Sequence, residues 1–215
     1  MTTWQPVAPA DLPGRLADWL AAIPGLVRVA VDGPSGAAPE RLAADLIDPL
    51  RALGRPATHI AAAAFWRDAS LRFERGREDV ESYRDWLDAD ALRREVLDAA
   101  TDGSYLPSLR DPATNRSTRE PARDLPENAV LIVSGTLLLG RRLPFDRTVH
   151  LALSPAARER RTAADELWTL PAFDSYDATD RPLSSADVVI KWDDPRHPAV
   201  RGLPWKGTGQ ASVSS

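Results

Sequence analysis

Residues 33–40 read Gly33-Pro34-Ser35-Gly36-Ala37-Ala38-Pro39-Glu40, directly after a valine-rich run and directly before a leucine-rich one. A glycine-containing turn between a strand and a helix is a place where backbone N–H groups can cradle phosphate. The full signature for that chemistry is G-x-x-x-x-G-K-[ST], whose lysine neutralises phosphate and whose hydroxyl holds Mg²⁺. Only the first glycine is in place: Ala38 stands for the second glycine, Pro39 for the lysine and Glu40 for the hydroxyl residue. Proline removes a backbone N–H as well as the ammonium. Glutamate places a carboxylate on the phosphate path; at ~4 Å and an effective dielectric of about 20 the repulsion is about 4 kcal/mol per phosphate charge. Pro39 and Glu40 also make an ordinary helix start, so they carry a purely structural explanation as well.

Other chemistries are thinly supplied. The 215 residues contain no cysteine, which removes disulfides, thiolate nucleophiles and cysteine-based zinc sites. His59, His150 and His197 lie far apart, so no metal centre is expected. Lysine occurs only at 191 and 206, leaving arginine as the cation everywhere upstream. A net charge of −4 argues against a nucleic-acid grip. The segment MTTWQPVAPADLPG lacks a basic and then apolar leader pattern, and no apolar run reaches membrane-spanning length, so a soluble cytoplasmic protein is expected.

The elements that would hold the turn follow from periodicity. Leu16, Trp19, Leu20 and Ile23 share a helical face within 10–23, and Val27, Val29 and Val31 form a strand ahead of Gly33. Pro39 opens a helix whose buried face is Leu42, Leu46, Leu50 and Leu53, ended by Gly54. A strand is predicted over 58–64, two linked helices over 79–99 with Asp88 or Asp90 as cap, and a loop over 101–128. Buried strands are predicted at 129–135, 148–153 and 186–192, with a helix from Pro155 to about Trp168 and a packed helix end at Trp168–Pro171. Strands alternating with helices give a parallel sheet in a three-layer α/β fold, with ligands at the carboxyl ends of the strands.

The segments VRVAVDGPSG, AFWRD, ESYRDWLDADALRREVLDA, VLIVSGTLLL, RERRTAADE and ADVVIKWDDPRHP resemble the uridine kinase family of P-loop kinases over roughly residues 26–200. The resemblance implies a P-loop NTPase-like sheet with a small helical lid over residues 26–202; the helical spacing within 1–25 gives a helix packed on that domain, and the polar, small-residued 203–215 is expected to be a flexible tail. The resemblance also implies that the catalytic groups are gone: Ala63 aligns with the family's strand-end aspartate, Ser134 with a strand-end acid, and Pro39 and Glu40 fall in the degraded loop. Gly33, Pro34, Ser35, Gly36, Ala37 and Ala38 are then a phosphate-loop remnant. Phe65, Trp66, Tyr83, Asp111, Asn115 and Arg116 would line a nucleoside pocket, and Arg158, Arg160 and Arg161 match the lid.

Each survivor has a plainer role open to it: Phe65 and Tyr83 as core, Asp111 as a turn former before Pro112, and the lid arginines as a solvated face paired with Glu159 or Asp165. The expected function is a uridine kinase-like domain that no longer transfers phosphate and binds a nucleoside, a nucleotide or a protein partner, with no cofactor and a homodimer among the options. The alternative is an active uridine or cytidine kinase with a rebuilt phosphate site, taking ATP and Mg²⁺ and using Asp32 or Asp68 as base or metal ligand. A third option is a pure interaction module.

Overall fold

The central strands form where valine, isoleucine and leucine are dense, without polar interruption in residues 130–133, because both faces of such a strand must be covered. In the computed structural model, which describes residues 3–204, the strands are β1 (Gln5–Pro6), β2 (Val27–Asp32), β3 (Ala57–Ala61), β4 (Ser104–Tyr105), β5 (Arg123–Asp124), β6 (Val130–Gly135), β7 (Arg147–Ala152), β8 (Val188–Lys191) and β9 (Ala199–Arg201). Strands β4 and β5 make a separate small ribbon inside the predicted loop. The main sheet runs β1-β9-β8-β7-β2-β6-β3; β3, β6, β2, β7 and β8 are parallel, and β9 and β1 add antiparallel at one edge.

The chain leaves β2 for β3, returns to β6, then crosses to β7. In open α/β sheets a reversal of this kind marks the carboxyl end where ligands bind. Register brings Asp32 beside Gly135 on one flank and His150 on the other.

Alternation along each strand splits the core into two layers. Val27, Val29, Val31, Val130 and Ile132 face Leu16, Leu20, Leu42, Leu46 and Leu50. Ala30, Leu131 and Val133 face Phe65, Leu92, Val96, Phe173 and Tyr176. The first helix, Leu12–Ala21, is pinned by Arg55, whose buried guanidinium donates to the carbonyls of Ala21 (3.0 Å), Ile23 (2.5 Å), Gly25 (2.7 Å) and Asn128 (2.7 Å). Positive charge at a helix C-terminus is favourable because the last carbonyls lack intrahelical donors.

Several expectations change in detail. The helix after the loop is two, Pro39–Asp45 and Ile47–Ala52, because Pro49 has no N–H to give Asp45; Leu53 lies beyond the second and is exposed. The strand predicted over 58–64 stops at Ala61 and tightens into a 3₁₀ turn over Ala62–Phe65. There the Ala62 side chain approaches Gly135 so closely that a Cβ on Gly135 would sit 2.8 Å from it. The helix from Pro155 ends at Arg161, followed by a 3₁₀ segment over Ala164–Thr169.

Trp168–Pro171 is not a helix end. Pro171 sits in the first turn of a further helix, Leu170–Thr179, a position where proline is tolerated. The tail expected over 203–215 falls almost wholly on 205–215, outside the described residues, while Leu203 packs in the core. Among the described residues no helix is long and apolar enough to cross a membrane.

Candidate functional site

The turn after β2 is short because its residues close on themselves. Gly33 N–H donates to the Gly135 carbonyl at 3.2 Å, Pro34 is extended, and Ser35–Ala37 make a single 3₁₀ turn. The Ala37 N–H bonds the Pro34 carbonyl (2.8 Å) and the Ala38 N–H bonds the Ser35 carbonyl (2.9 Å). Ala38 is left-handed (φ 54°), and Pro39 starts the helix with no N–H to offer.

The segment 155–169, which carries the arginines expected in a lid, sits directly on this turn. A Cβ on Gly36 would lie 2.9 Å from the Arg161 carbonyl oxygen, and the Ser35 hydroxyl donates to Glu166 Oε2 at 3.0 Å. Glu40 keeps an exposed surface but is crowded enough that desolvation raises its carboxyl above the ordinary value. Glu40 and Glu166 both act on the Tyr83 phenol, which burial above all pushes upward.

Behind the turn, Asp32 is completely buried. Its Oδ1 accepts Leu138 N–H (2.8 Å), and its Oδ2 accepts the Tyr176 hydroxyl (2.9 Å) and lies 2.7 Å from His150 Nδ1. The Tyr176 oxygen in turn accepts Leu139 N–H at 3.0 Å. Burial, with the Asp32 charge next, raises the Tyr176 phenol far above its usual value, so it stays protonated and can donate. Asp68, by contrast, caps the helix Ala69–Arg72, accepting Ser70 N–H and Ser70 Oγ at 2.9 Å each, and pairs with Arg110 at 3.0 Å. The Ser70 bonds hold its carboxyl below the ordinary range. Ala63 lies in the 3₁₀ turn after β3, and the buried Ser134 hydroxyl meets His59 Nε2 at 2.7 Å. Among the described residues no group of three or more His, Cys, Asp or Glu is placed to hold a metal ion.

Beside the turn lies a cleft of about 370 Å³. It brings together Trp66, Tyr83 and Asn115 from the expected pocket and adds Arg72, Trp86 and Trp168. Tyr83 meets Trp86 at 5.0 Å and Trp168 at 5.3 Å, and Trp66 meets Trp86 at 5.5 Å, all edge-to-face, the geometry the ring quadrupoles favour. Phe65 is fully buried beneath this wall. Asn115 is left-handed (φ 57°), and its Oδ1 accepts Ala69 N–H at 2.9 Å, tying one rim to the other. Asp111 stands outside the lining and caps its own turn through Ala113 N–H (2.9 Å) and Thr114 Oγ1 (2.8 Å). Arg116 is exposed and also outside it.

The lid arginines divide. Arg158 is buried and paired with Asp174 (2.5 Å) and Asp177 (2.9 Å) of the helix Leu170–Thr179, instead of Glu159 or Asp165. Arg161 donates to the Trp192 carbonyl at 2.6 Å, and Arg160 is exposed. On the opposite side of the turn a second cavity, about 480 Å³, is lined by Leu12, Ala37, Arg41 and Trp192 among others.

The strand order, the reversal at β2 and a glycine-containing turn leading into a helix define a three-layer α/β domain on a mostly parallel sheet. Among solved structures, the chain is similar to a possible uridine kinase from Bacillus stearothermophilus, at 20% identity over 84% of this chain and 97% of that one, with a TM-score of 0.70. It is also similar to a protein from Silicibacter sp. described as a candidate fructose transport system kinase, at 21% identity over 80% and 95% of the two chains, with a TM-score of 0.53. No protein-family model and no curated protein matches it.

Proposed function

We propose that this chain is a uridine kinase-like domain that has lost ATP-dependent phosphoryl transfer and keeps its aromatic cleft to bind a nucleoside or nucleotide. The observation that carries this reading is the closed turn: the amides of Ala37 and Ala38 are bonded to the turn's own carbonyls, and the Arg161 main chain lies on Gly36. Phosphoryl transfer on this fold is mostly positioning and charge neutralisation by amides, a lysine and Mg²⁺. Pro39 and Glu40 supply neither cation nor hydroxyl, and Glu40 and Glu166 add carboxylates where phosphate charge would have to sit. The cleft supports the binding half of the reading, since its aromatic faces suit a flat heterocycle.

The alternative of an active kinase with a rebuilt site needs Asp32 or Asp68 as base or metal ligand. Asp32 is enclosed with three partners and Asp68 is engaged by Ser70 and Arg110, which favours the inactive reading.

Calorimetric titration with uridine and with Mg-ATP, run beside a coupled assay for ADP release, tests both. Uridine binding without ADP release is expected. Turnover that disappears in Asp68→Asn or Asp32→Asn, with the fold intact, would overturn the reading. Binding of neither ligand at millimolar concentration would leave the domain as a protein-interaction module.

A further inference from the structure

The aromatic cleft holds two side chains, Trp86 and Arg72, with N–H groups that the fold leaves without acceptors. Trp86 is 9% exposed, and its Nε1–H is buried without a hydrogen-bond partner. Arg72 is 6% exposed, and its Nε–H donates to the Arg67 carbonyl at 3.0 Å. Among the described residues its two terminal amino groups make no hydrogen bond and its guanidinium makes no ion pair. The guanidinium carbon instead lies over three rings, 5.1 Å from the Trp66 centroid and 4.8 Å from those of Phe73 and Trp86.

A cation withdrawn from water needs a counter-charge, and stacking on aromatic faces offsets only part of that need. Asp68 is the acid whose charge reaches Arg72, and it is already held by Ser70 and Arg110. Desolvation accordingly depresses the Arg72 pKa. A guanidinium fixed by packing, with both terminal amino groups free, presents the planar fork that matches a carboxylate or phosphate.

Charge is segregated across the cleft. Arg72 and Arg77 lie on one side, while Asp165 and Glu166 line the lid side. Tyr83 feels Glu40 and Glu166 beside the closed turn, whereas Arg72 feels Asp68 and Arg110. An anion would therefore seat away from the turn, and the neutral part of the same molecule would lie toward it.

We propose that the cleft takes a small organic anion, a carboxylate or phosphate monoester borne on a flat ring, with the anionic group on Arg72 and the ring against Trp66, Tyr83 and Trp168. This rests on the cleft being a small-molecule site, as proposed above, and adds the charge and orientation of its ligand. Its volume of about 370 Å³ falls within the range of small-ligand pockets.

The test titrates the full chain with phenyl phosphate, benzoate, benzyl alcohol and uridine, read by calorimetry and by the tryptophan fluorescence of the cleft. At least one of the two anions is expected to bind about tenfold or more tighter than benzyl alcohol, as for loss of a charge-assisted contact, and the tighter one identifies the headgroup. Arg72→Gln should abolish that preference while leaving the alcohol unaffected; if the variant does not fold, the wild-type ratio decides alone. Equal affinities for the anions and the alcohol, or a preference that persists in a folded Arg72→Gln protein, would overturn the proposal. Uridine binding without anion preference sinks this inference and spares the nucleoside reading. Anion binding that depends on Arg72, with no uridine binding, does the reverse. If none of the four binds at millimolar concentration, both fail.

Discussion

Replacing Tyr176 by phenylalanine removes one oxygen and two hydrogen bonds at the centre of the molecule. The hydroxyl donates to Asp32 Oδ2 at 2.9 Å and accepts Leu139 N–H at 3.0 Å, and all three residues are buried. A hydrogen bond to a charged acceptor contributes about 1.5–3 kcal/mol, and a buried N–H left without a partner costs about 1–3 kcal/mol. The two losses share one atom and are not additive, so Tyr176→Phe should destabilise the protein by about 3 kcal/mol. The ring itself stays in place and creates no cavity. At roughly 2–4 °C per kcal/mol for a chain of this size, the midpoint should fall by about 6–12 °C. Differential scanning calorimetry on both proteins, with circular dichroism to show an unchanged native fold, measures it. A shift below about 2 °C would mean that Asp32 is not held as described. The argument for an enclosed, structural aspartate behind the turn would then collapse, and a catalytic Asp32 would be open again.

Arg55→Met should cost about 3 kcal/mol or more, because the carbonyls of Ala21, Ile23, Gly25 and Asn128 lose a common donor; urea unfolding checks it, and a loss under about 1 kcal/mol refutes the clamp. Burial lowers the His59 pKa below 6.5, so between that lowered value and 6.5 the unfolded chain holds more protons than the folded one. Stability should therefore fall as pH drops through that window, and His59→Gln should flatten the slope of urea midpoint against pH; an unchanged slope assigns the effect elsewhere. Gly36→Ala puts a methyl group about where the Arg161 main chain lies, so the lid must shift. Trypsin should then cut at Arg158–Arg161 markedly faster than in the wild type, and equal cleavage rates would count against the contact.

Strands β2, β6, β7 and β8 could be read from the chain because each carries a run rich in valine, isoleucine or leucine, as in residues 130–133, and the turn could be placed because it interrupts such a run; β3 was legible only as a short run of small residues. Strands β1 and β9 could not: two and three residues at a sheet edge carry no pattern. The helix Leu170–Thr179 was hidden because Pro171 reads as a stop until its place in the first turn is known, and because Phe173 and Tyr176 make a thin stripe. Within the cleft, Trp66, Tyr83 and Asn115 were legible through resemblance alone. Arg72, Trp86 and Trp168 were not, since they come from separate segments and no spacing links them. The Asp32 cluster is less legible still, because Leu138, Tyr176 and His150 lie 106, 144 and 118 residues away.

The helix Pro155–Arg161 is fastened at its middle, by Arg158 to Asp174 and Asp177, and at its C-terminal end, by Arg161 to the Trp192 carbonyl, with Gly36 wedged beneath. Swinging it outward would break these attachments together, unlike the hinged covers that pace many enzymes. The stretch 165–169 that walls the aromatic cleft follows directly from this anchored helix, so a molecule in the proposed site would meet a wall held in place, and how long it stays would depend on its grip and not on the rhythm of a moving cover.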